Sequence, residues 1–249
     1  KAFKRFSDRE QEAKTDYYAC RRSILDSAGK VRPVVFYVDT AFDASAYAAV
    51  ERGLLLWNDA FAKIGCKDVV RVEPFPADPA FNDNSLYNNC VRRTGTSNSE
   101  LYTASWVDPR SGEILNASVY VYHDVMKLLN NWLFVQTAQA DERVRAVTIP
   151  EEVIGDGLRY VVAHEVGHCL GYMHNMSASA VIPVDSLRSP SFTQKYGTTT
   201  SIMDYARFNY VARPGDRERG VKFTPPRFGL YDYLSLIHIS EPTRHSLIS

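Results

Sequence analysis

Apolar positions along the chain fall into short β-rich runs and into longer stretches with a period of three to four residues. The short runs, which turn residues bound, predict four strands. These strands cover residues 34–38, 69–75, 101–107 and 114–122. Asp, Pro and Gly at 108–112 predict a turn between the last two, and the Pro-, Asn- and Asp-rich stretch at 76–89 predicts a loop.

Three longer stretches carry the helical period. They cover residues 46–64, about 124–136, and 151–170. Gly65 is placed to end the first helix, and Asp124 is a capping residue for the second. Glu151 opens the third helix, where negative charge suits the helix dipole.

Early strands and helices, one long helix after them and a mostly irregular C-terminal third predict an α+β domain. We assign residues 33–233 to this domain. Residues 1–32 are charged and polar, and we expect them to be a linker from a missing upstream region.

The last sixteen residues, 234–249, break the composition that precedes them. Back-translated, residues 234–244 resemble the transposon-end adapter of sequencing libraries. We therefore expect 234–249 to be an adapter artefact and the natural domain to be truncated near Tyr233, so His238 and His245 receive no functional weight.

Composition narrows the function classes. Of the 249 residues, 45% are hydrophobic, which is enough for a large core. Lys plus Arg (29) equals Asp plus Glu (29), so no overall charge draws the chain to nucleic acid. No stretch approaches the roughly 20 apolar residues of a membrane span. The four cysteines form no CxxC pair, which excludes a zinc ribbon, although a disulfide such as Cys66 to Cys90 stays open.

The segment HEVGHCLGYMH at 164–174 carries the candidate chemistry. It fits HExxHxxGxxH at every fixed position. By chance, such a match would occur in about one chain in 10⁵ of this length. His164 and His168 lie four residues apart on one helix face, so both imidazoles can reach one metal ion. Glu165 lies one step round the helix and can reach a metal-bound water without being a ligand.

A third ligand cannot come from the same straight helix, because ten residues raise the axis by about 15 Å. Gly171 can take a positive φ, end the helix and let the chain double back to His174. Three histidines with an open fourth position are typical of catalytic Zn²⁺. The pattern predicts a zinc endopeptidase in which Glu165 accepts a proton from the zinc-bound water and later protonates the leaving amine.

Downstream, SIMDY at 201–205 resembles the Met-turn of the metzincins, and Met203 is the matching methionine. By that resemblance, Met203 forms an apolar floor beneath the three histidines. Tyr205 matches a position at which astacin-like and serralysin-like metzincins carry a tyrosine near the zinc. The resemblance implies a hydrogen bond from Tyr205 to the oxyanion, and an ordinary half-buried tyrosine is the alternative.

The resemblance extends from about residue 33 to residue 233. Over this range the chain resembles a bacterial family of large zinc-dependent metalloproteases that have a conserved-unknown domain before the protease domain. The resemblance is carried by the segments DPRSGEI, RYVVAHEVGHCLG, SIMDYARFNYVA and GLYDY. The resemblance implies a metzincin-like zincin fold, with a mixed twisted sheet over the active-site helix and an irregular C-terminal subdomain. It also implies export to the periplasm, the cell surface or the medium.

The same resemblance implies a protein or peptide substrate that lies extended along an edge strand above the zinc helix. The strand from Ala117 to Tyr122 is the candidate edge, and an interior position is the alternative. Two other functions stay open. They are a catalytically idle zinc-binding module, and a zinc amide hydrolase with a non-protein substrate.

Overall fold

The computed structural model describes residues 2–9, 11–17, 19–97, 101–225 and 228–240. Within the predicted linker, β1 (Ala2–Arg5) and β2 (Lys14–Tyr17) form an antiparallel pair. Further along, the N–H of Arg22 donates to the carbonyl of Leu170 at 3.2 Å, and Ile24 is buried in the core. The segment that leads into the domain therefore packs against the end of the long helix, while the domain boundaries stay predictions.

One mixed sheet of five strands forms the centre of the fold. Its strands are β3 (Val34–Val38), β4 (Val70–Pro74), β5 (Asn89–Thr94), β6 (Leu101–Val107) and β7 (Ile114–Tyr122). Their order across the sheet is β4-β3-β5-β7-β6. The first four of these are parallel neighbours, and β6 is antiparallel to β7 at one edge.

Within the described part of the chain, five α-helices accompany the sheet. They are α1 (Ala44–Ala62), α2 (Val125–Thr137), α3 (Glu151–Leu170), α4 (Pro190–Tyr196) and α5 (Leu230–Ser240). The side chain of Asp43 caps α1 by accepting from the N–H of Ala46. Trp57 on α1 is fully buried, and its indole N–H donates to the carbonyl of Ala163 on α3 at 2.9 Å. The central core thus lies between α1, α3 and the sheet, and the architecture is α+β, as the sequence predicted.

Strand β5 occupies residues that the sequence analysis left without an element. Its polar residues make it resemble a loop, yet they have partners: the amide of Asn89 donates to the carbonyl of Val35, and its oxygen accepts from the N–H of Ala117. Asn89 thereby joins β3, β5 and β7 through side-chain hydrogen bonds. The local pattern could not reveal this, because the partners lie 54 and 28 residues away.

The expectation that Ala117 to Tyr122 forms an edge strand is wrong. These residues belong to β7, which pairs with β5 on one side and β6 on the other. The interior position, which was the alternative, is the one that these residues occupy. The turn after β6 returns the chain on the inner side of that strand, so β6 is the edge.

The C-terminal helix α5 runs into the segment that resembles adapter sequence. Leu236 in this helix is buried in the main core, and residues 241–249 lie outside the described part of the chain. All four cysteines are free, so the possible bridge between Cys66 and Cys90 is not formed. Among the described helices, none combines the length and apolar composition needed to cross a bilayer.

The close approach of α1 to α3 gives a testable prediction. A Cβ on Gly53 would lie 2.9 Å from the carbonyl oxygen of Arg159 and 3.0 Å from Cβ of Val162. Because backbone cannot move aside cheaply, we expect Gly53→Ala to lower the free energy of unfolding by about 1–3 kcal/mol in urea titrations.

Gly155→Ala is the matched control within the same helix pair. Its Cβ would meet its nearest neighbour, Nη2 of Arg52, at 3.6 Å, which is ordinary contact. Alanine also favours the helix by about 0.8–1 kcal/mol over glycine. We expect this variant to be neutral or stabilised, and equal losses in both variants would contradict the proposed steric constraint.

Candidate metal centre and active site

Helix α3 and the reversal after it bring the three histidines together. His164 and His168 project from α3, which ends at Gly171 with φ 105°. A Cβ on Gly171 would also lie 2.5 Å from the carbonyl oxygen of Cys20, so both the backbone angle and the space require glycine. Beyond this turn the chain doubles back to His174, as the sequence predicted.

The imidazoles of His164, His168 and His174 offer ligand atoms that all lie within 4.8 Å of one another. Nε2 of His168 is 3.1 Å from Nε2 of His174. Two nitrogens on one tetrahedral Zn²⁺, each about 2.0–2.1 Å from the ion, are separated by about 3.3 Å. The spacing of the donors therefore suits a zinc ion.

Hydrogen bonds to backbone carbonyls determine which ring nitrogen of each helical histidine is available to bind a metal ion. Nδ1–H of His164 donates to the carbonyl of Ile202 at 2.8 Å, and Nδ1–H of His168 donates to that of Tyr172 at 2.8 Å. Nε2 of His164 is buried and has no hydrogen-bond partner among the described residues. An unpartnered buried lone pair is costly in a fold, and a metal ion would satisfy it.

Burial keeps the three imidazoles neutral. It lowers the pKa of His164 to about 4 and also lowers the pKa values of His168 and His174. A neutral imidazole presents the lone pair that a metal requires. The donor set thus fits zinc in protonation state as well as in spacing.

The carboxyl group of Glu165 lies next to this cluster and is held from β6. The hydroxyl of Thr103 donates to Oε2 of Glu165 at 2.6 Å. Burial raises the pKa of Glu165 to about 7, although the Thr103 hydrogen bond opposes the shift. Sequence reasoning missed Thr103, since nothing local links a strand threonine to a glutamate 62 residues later.

Met203 packs under α3 in close contact. The side chain is 2% exposed, and a Cβ on Gly167 would overlap its sulfur. Gly167, which the sequence analysis did not single out, therefore lets the methionine approach the helix between the two helical histidines. The carbonyl of Met203 accepts from the N–H of Asn175 at 2.9 Å, which ties the residue after His174 to the same turn.

The family model described as Met-zincin matches residues 146–237, somewhat more than a third of the chain. That segment includes all three histidines and Met203. Over these residues the chain is similar to the Met-zincin family. No curated protein and no solved structure shows a significant match to the chain.

Tyr205 lies at the rim of the histidine cluster. Its side chain is 47% exposed, and its ring centroid lies 4.7 Å from that of His174 and 5.4 Å from that of His164. The phenol is therefore beside the histidine cluster and accessible to a ligand.

Behind the Met-turn lies Asp232 of α5, a residue that the sequence analysis did not identify. Its carboxylate is 2% exposed and accepts from the hydroxyl of Ser201 at 2.6 Å and from the N–H of Ile202 at 2.7 Å. It also accepts from the N–H of Gly229 at 2.8 Å. Because the carbonyl of Ile202 accepts from His164, Asp232 supports the histidine cluster through one residue, Ile202.

This support predicts a stability effect. Asp232→Ala leaves two buried N–H groups without acceptors, and each costs about 1–3 kcal/mol. We expect a loss of about 2–6 kcal/mol in the free energy of unfolding, measured in urea.

Asp232→Asn keeps an oxygen acceptor and almost the same volume, so its loss should be markedly smaller. An alanine variant as stable as the parent would show that Asp232 does not hold the Met-turn.

Proposed function

We propose that the chain is a zinc-dependent endopeptidase in which His164, His168 and His174 bind Zn²⁺ and Glu165 is the general base. The observation that supports this most strongly is the convergence of three imidazoles, whose pKa values are all lowered, beside one half-buried carboxyl group. Zinc bound there would supply a Lewis acid that polarises a carbonyl and lowers the pKa of water to about 7.

The proton transfers fall to Glu165. Its carboxylate accepts a proton from water as the water oxygen adds to the carbonyl carbon of the scissile bond. It then delivers a proton to the amine nitrogen as the C–N bond breaks. A pKa near neutrality suits a group that both accepts and donates a proton. The hydroxyl of Thr103, 2.6 Å from Oε2 of Glu165, orients the carboxylate during both transfers.

Tyr205 is proposed to assist from the rim. Its exposed phenol beside His174 can donate a hydrogen bond to the oxyanion that forms on the carbonyl oxygen. Met203 and Gly171 take no part in proton transfer; they shape the site.

We infer that a peptide substrate pairs with β6, the strand that replaces 117–122 as the candidate edge. Among the described residues, β7 is the one strand that pairs with β6, which leaves the other side of the β6 backbone available to a peptide. Thr103 of β6 contacts Glu165, so a peptide strand added there would pass the histidine cluster. From the resemblance to the exported bacterial family, we expect these peptides to come from proteins outside the cytoplasm.

The two competing functions differ in what Glu165 must do. An idle zinc-binding module needs the histidines alone, whereas a hydrolase also needs the carboxylate. A hydrolase of non-protein amides would need both but would not cleave peptides. Variants of Glu165, assayed with a peptide library and mass spectrometry, separate all three.

We predict that Glu165→Gln lowers the rate of peptide cleavage by roughly 10²–10⁴-fold, because the amide cannot accept the proton. Zinc content, measured by atomic spectroscopy on purified protein, should not change. A chelator should abolish cleavage by the parent protein, and added Zn²⁺ should restore it.

Glu151→Gln is the matched control, since Glu151 is exposed at the start of the same helix. We expect the control to cleave at the rate of the parent. Parent-like cleavage by the Glu165 variant would rule out the proposed base, and zinc binding without any peptide cleavage by the parent would favour one of the competing functions.

A further inference from the structure

A cavity of about 340 Å³ opens beside His164 and Glu165, between α2, α3 and β6. Much of its lining is apolar, and the apolar side chains include Leu101, Val125, Leu128, Leu129, Trp132 and Val161. A space of this kind next to a hydrolytic centre suits one side chain of a bound substrate. Apolar walls alone would favour an apolar side chain.

Arg207 changes the character of this cavity. Its guanidinium carbon lies 4.1 Å from the ring centroid of Trp132 and 4.9 Å from that of Tyr205, and all three residues line the space. Among the described residues, no carboxylate and no hydrogen-bond acceptor contacts this guanidinium. The two rings hold the cation by cation–π contact and leave N–H donors unused.

The other charged group in the described lining is Glu165, and it is bound elsewhere. Thr103 holds its carboxylate from the β6 side, whereas Arg207 lies against α2 and Tyr205. The guanidinium is thus a positive centre in a partly apolar wall. In such surroundings a charge-assisted hydrogen bond is stronger than in water.

The backbone at Arg207 also points to a use for this side chain. Its φ is 57°, in the left-handed region that glycine and asparagine occupy with less strain. An arginine there carries a conformational cost that its side-chain interactions must offset. The two ring contacts provide part of that compensation, and a bound anion would add to it.

We propose that this cavity binds a carboxylate of the substrate next to the scissile bond and that Arg207 is its partner. The inference rests on the proposed peptidase function. A planar guanidinium matches a carboxylate in shape and charge, which makes Arg207 a specificity-determining residue. The carboxylate has two sources, an Asp or Glu side chain or the free C-terminus of a short peptide.

The structural alternative is that Arg207 only clamps the segment after Met203 to Trp132. A clamp would affect all substrates equally, whereas a carboxylate partner affects acidic ones selectively. The decisive quantity is therefore a ratio of rates between matched peptides.

Three peptides based on a sequence that the protein cleaves provide this ratio. The first has Glu next to the scissile bond and a blocked C-terminus, and the second has Gln in its place. The third has Gln and a free C-terminal carboxylate one residue beyond the bond. kcat and KM are measured for the parent, for Arg207→Gln, Arg207→Lys and Arg207→Asn, and for Arg32→Gln as the control.

For the parent we expect one of the carboxylate peptides to exceed the neutral peptide in kcat/KM by roughly 10- to 100-fold, the range of a charged hydrogen bond. Arg207→Gln should reduce this preference to about one, and Arg207→Lys should retain part of it. The peptide that shows the gain identifies the source of the carboxylate. Arg32 lies outside the cavity lining and pairs with Glu113, so its variant controls for net charge and should keep the parent's preference.

Arg207→Asn is included as a variant that we expect to fold, because asparagine tolerates the positive φ at this position. Equal losses for acidic and neutral peptides in the folded Arg207 variants would overturn the inference and support the clamp. An absence of preference in the parent would overturn it as well.

Binding gives a second readout that needs no turnover. Isothermal titration calorimetry on the zinc-loaded proteins compares acetyl-Ala-Ala-Glu-Ala-Ala-amide, its Gln counterpart, and acetyl-Ala-Ala-Gln with a free C-terminus. Tighter binding of a carboxylate peptide, lost in Arg207→Gln, supports the inference even if no peptide is cleaved, in which case the peptidase proposal alone fails. Equal binding of all three peptides by the parent contradicts it.

Discussion

The arrangement depends on one constraint, the convergence of three neutral imidazoles whose positions span ten residues of chain. A continuous helix would separate His164 and His174 by about 15 Å along its axis. The reversal at Gly171 removes that distance, and the carbonyls of Ile202 and Tyr172 orient the two helical rings. The result is a cluster with a buried nitrogen that lacks a partner among the described residues, and a bound metal would satisfy it.

The surroundings of the cluster are closely packed. Gly167 allows the Met203 sulfur to lie against α3, and the same glycine faces Trp57 of α1. Asp232 then holds the turn from behind through Ser201 and Ile202. A site that must keep donor nitrogens together without a ligand needs such support, because the imidazoles themselves do not attract one another.

The sequence was sufficient to predict the features that depend on the spacing of residues close together in the chain. The period of α1 and α3, the i, i+4 pair of histidines and the glycine turn all follow from contacts within a few residues. Features that depend on distant pairing were not predictable in the same way. The polar side chain of Asn89 at the start of β5 makes its hydrogen bonds to β3 and β7. Since those partners are distant in sequence, this central strand resembled a polar loop. Without β5, the interior position of residues 117–122 in the sheet could not be derived. The roles of Thr103 and Asp232 likewise depend on partners that only the fold brings close.

The segment after Met203 links the rigid and the variable parts of the site. Met203 is fixed under α3, whereas Tyr205 two residues later is half exposed beside His174. Arg207 then crosses to the cavity wall on α2 with a positive φ. One short segment thus supports the metal ligands and lines the candidate substrate cavity. A change in the packing under Met203 would therefore also shift Tyr205 and Arg207, the groups proposed to contact substrate, so the proposed metal binding and substrate selection are expected to be physically coupled through this turn.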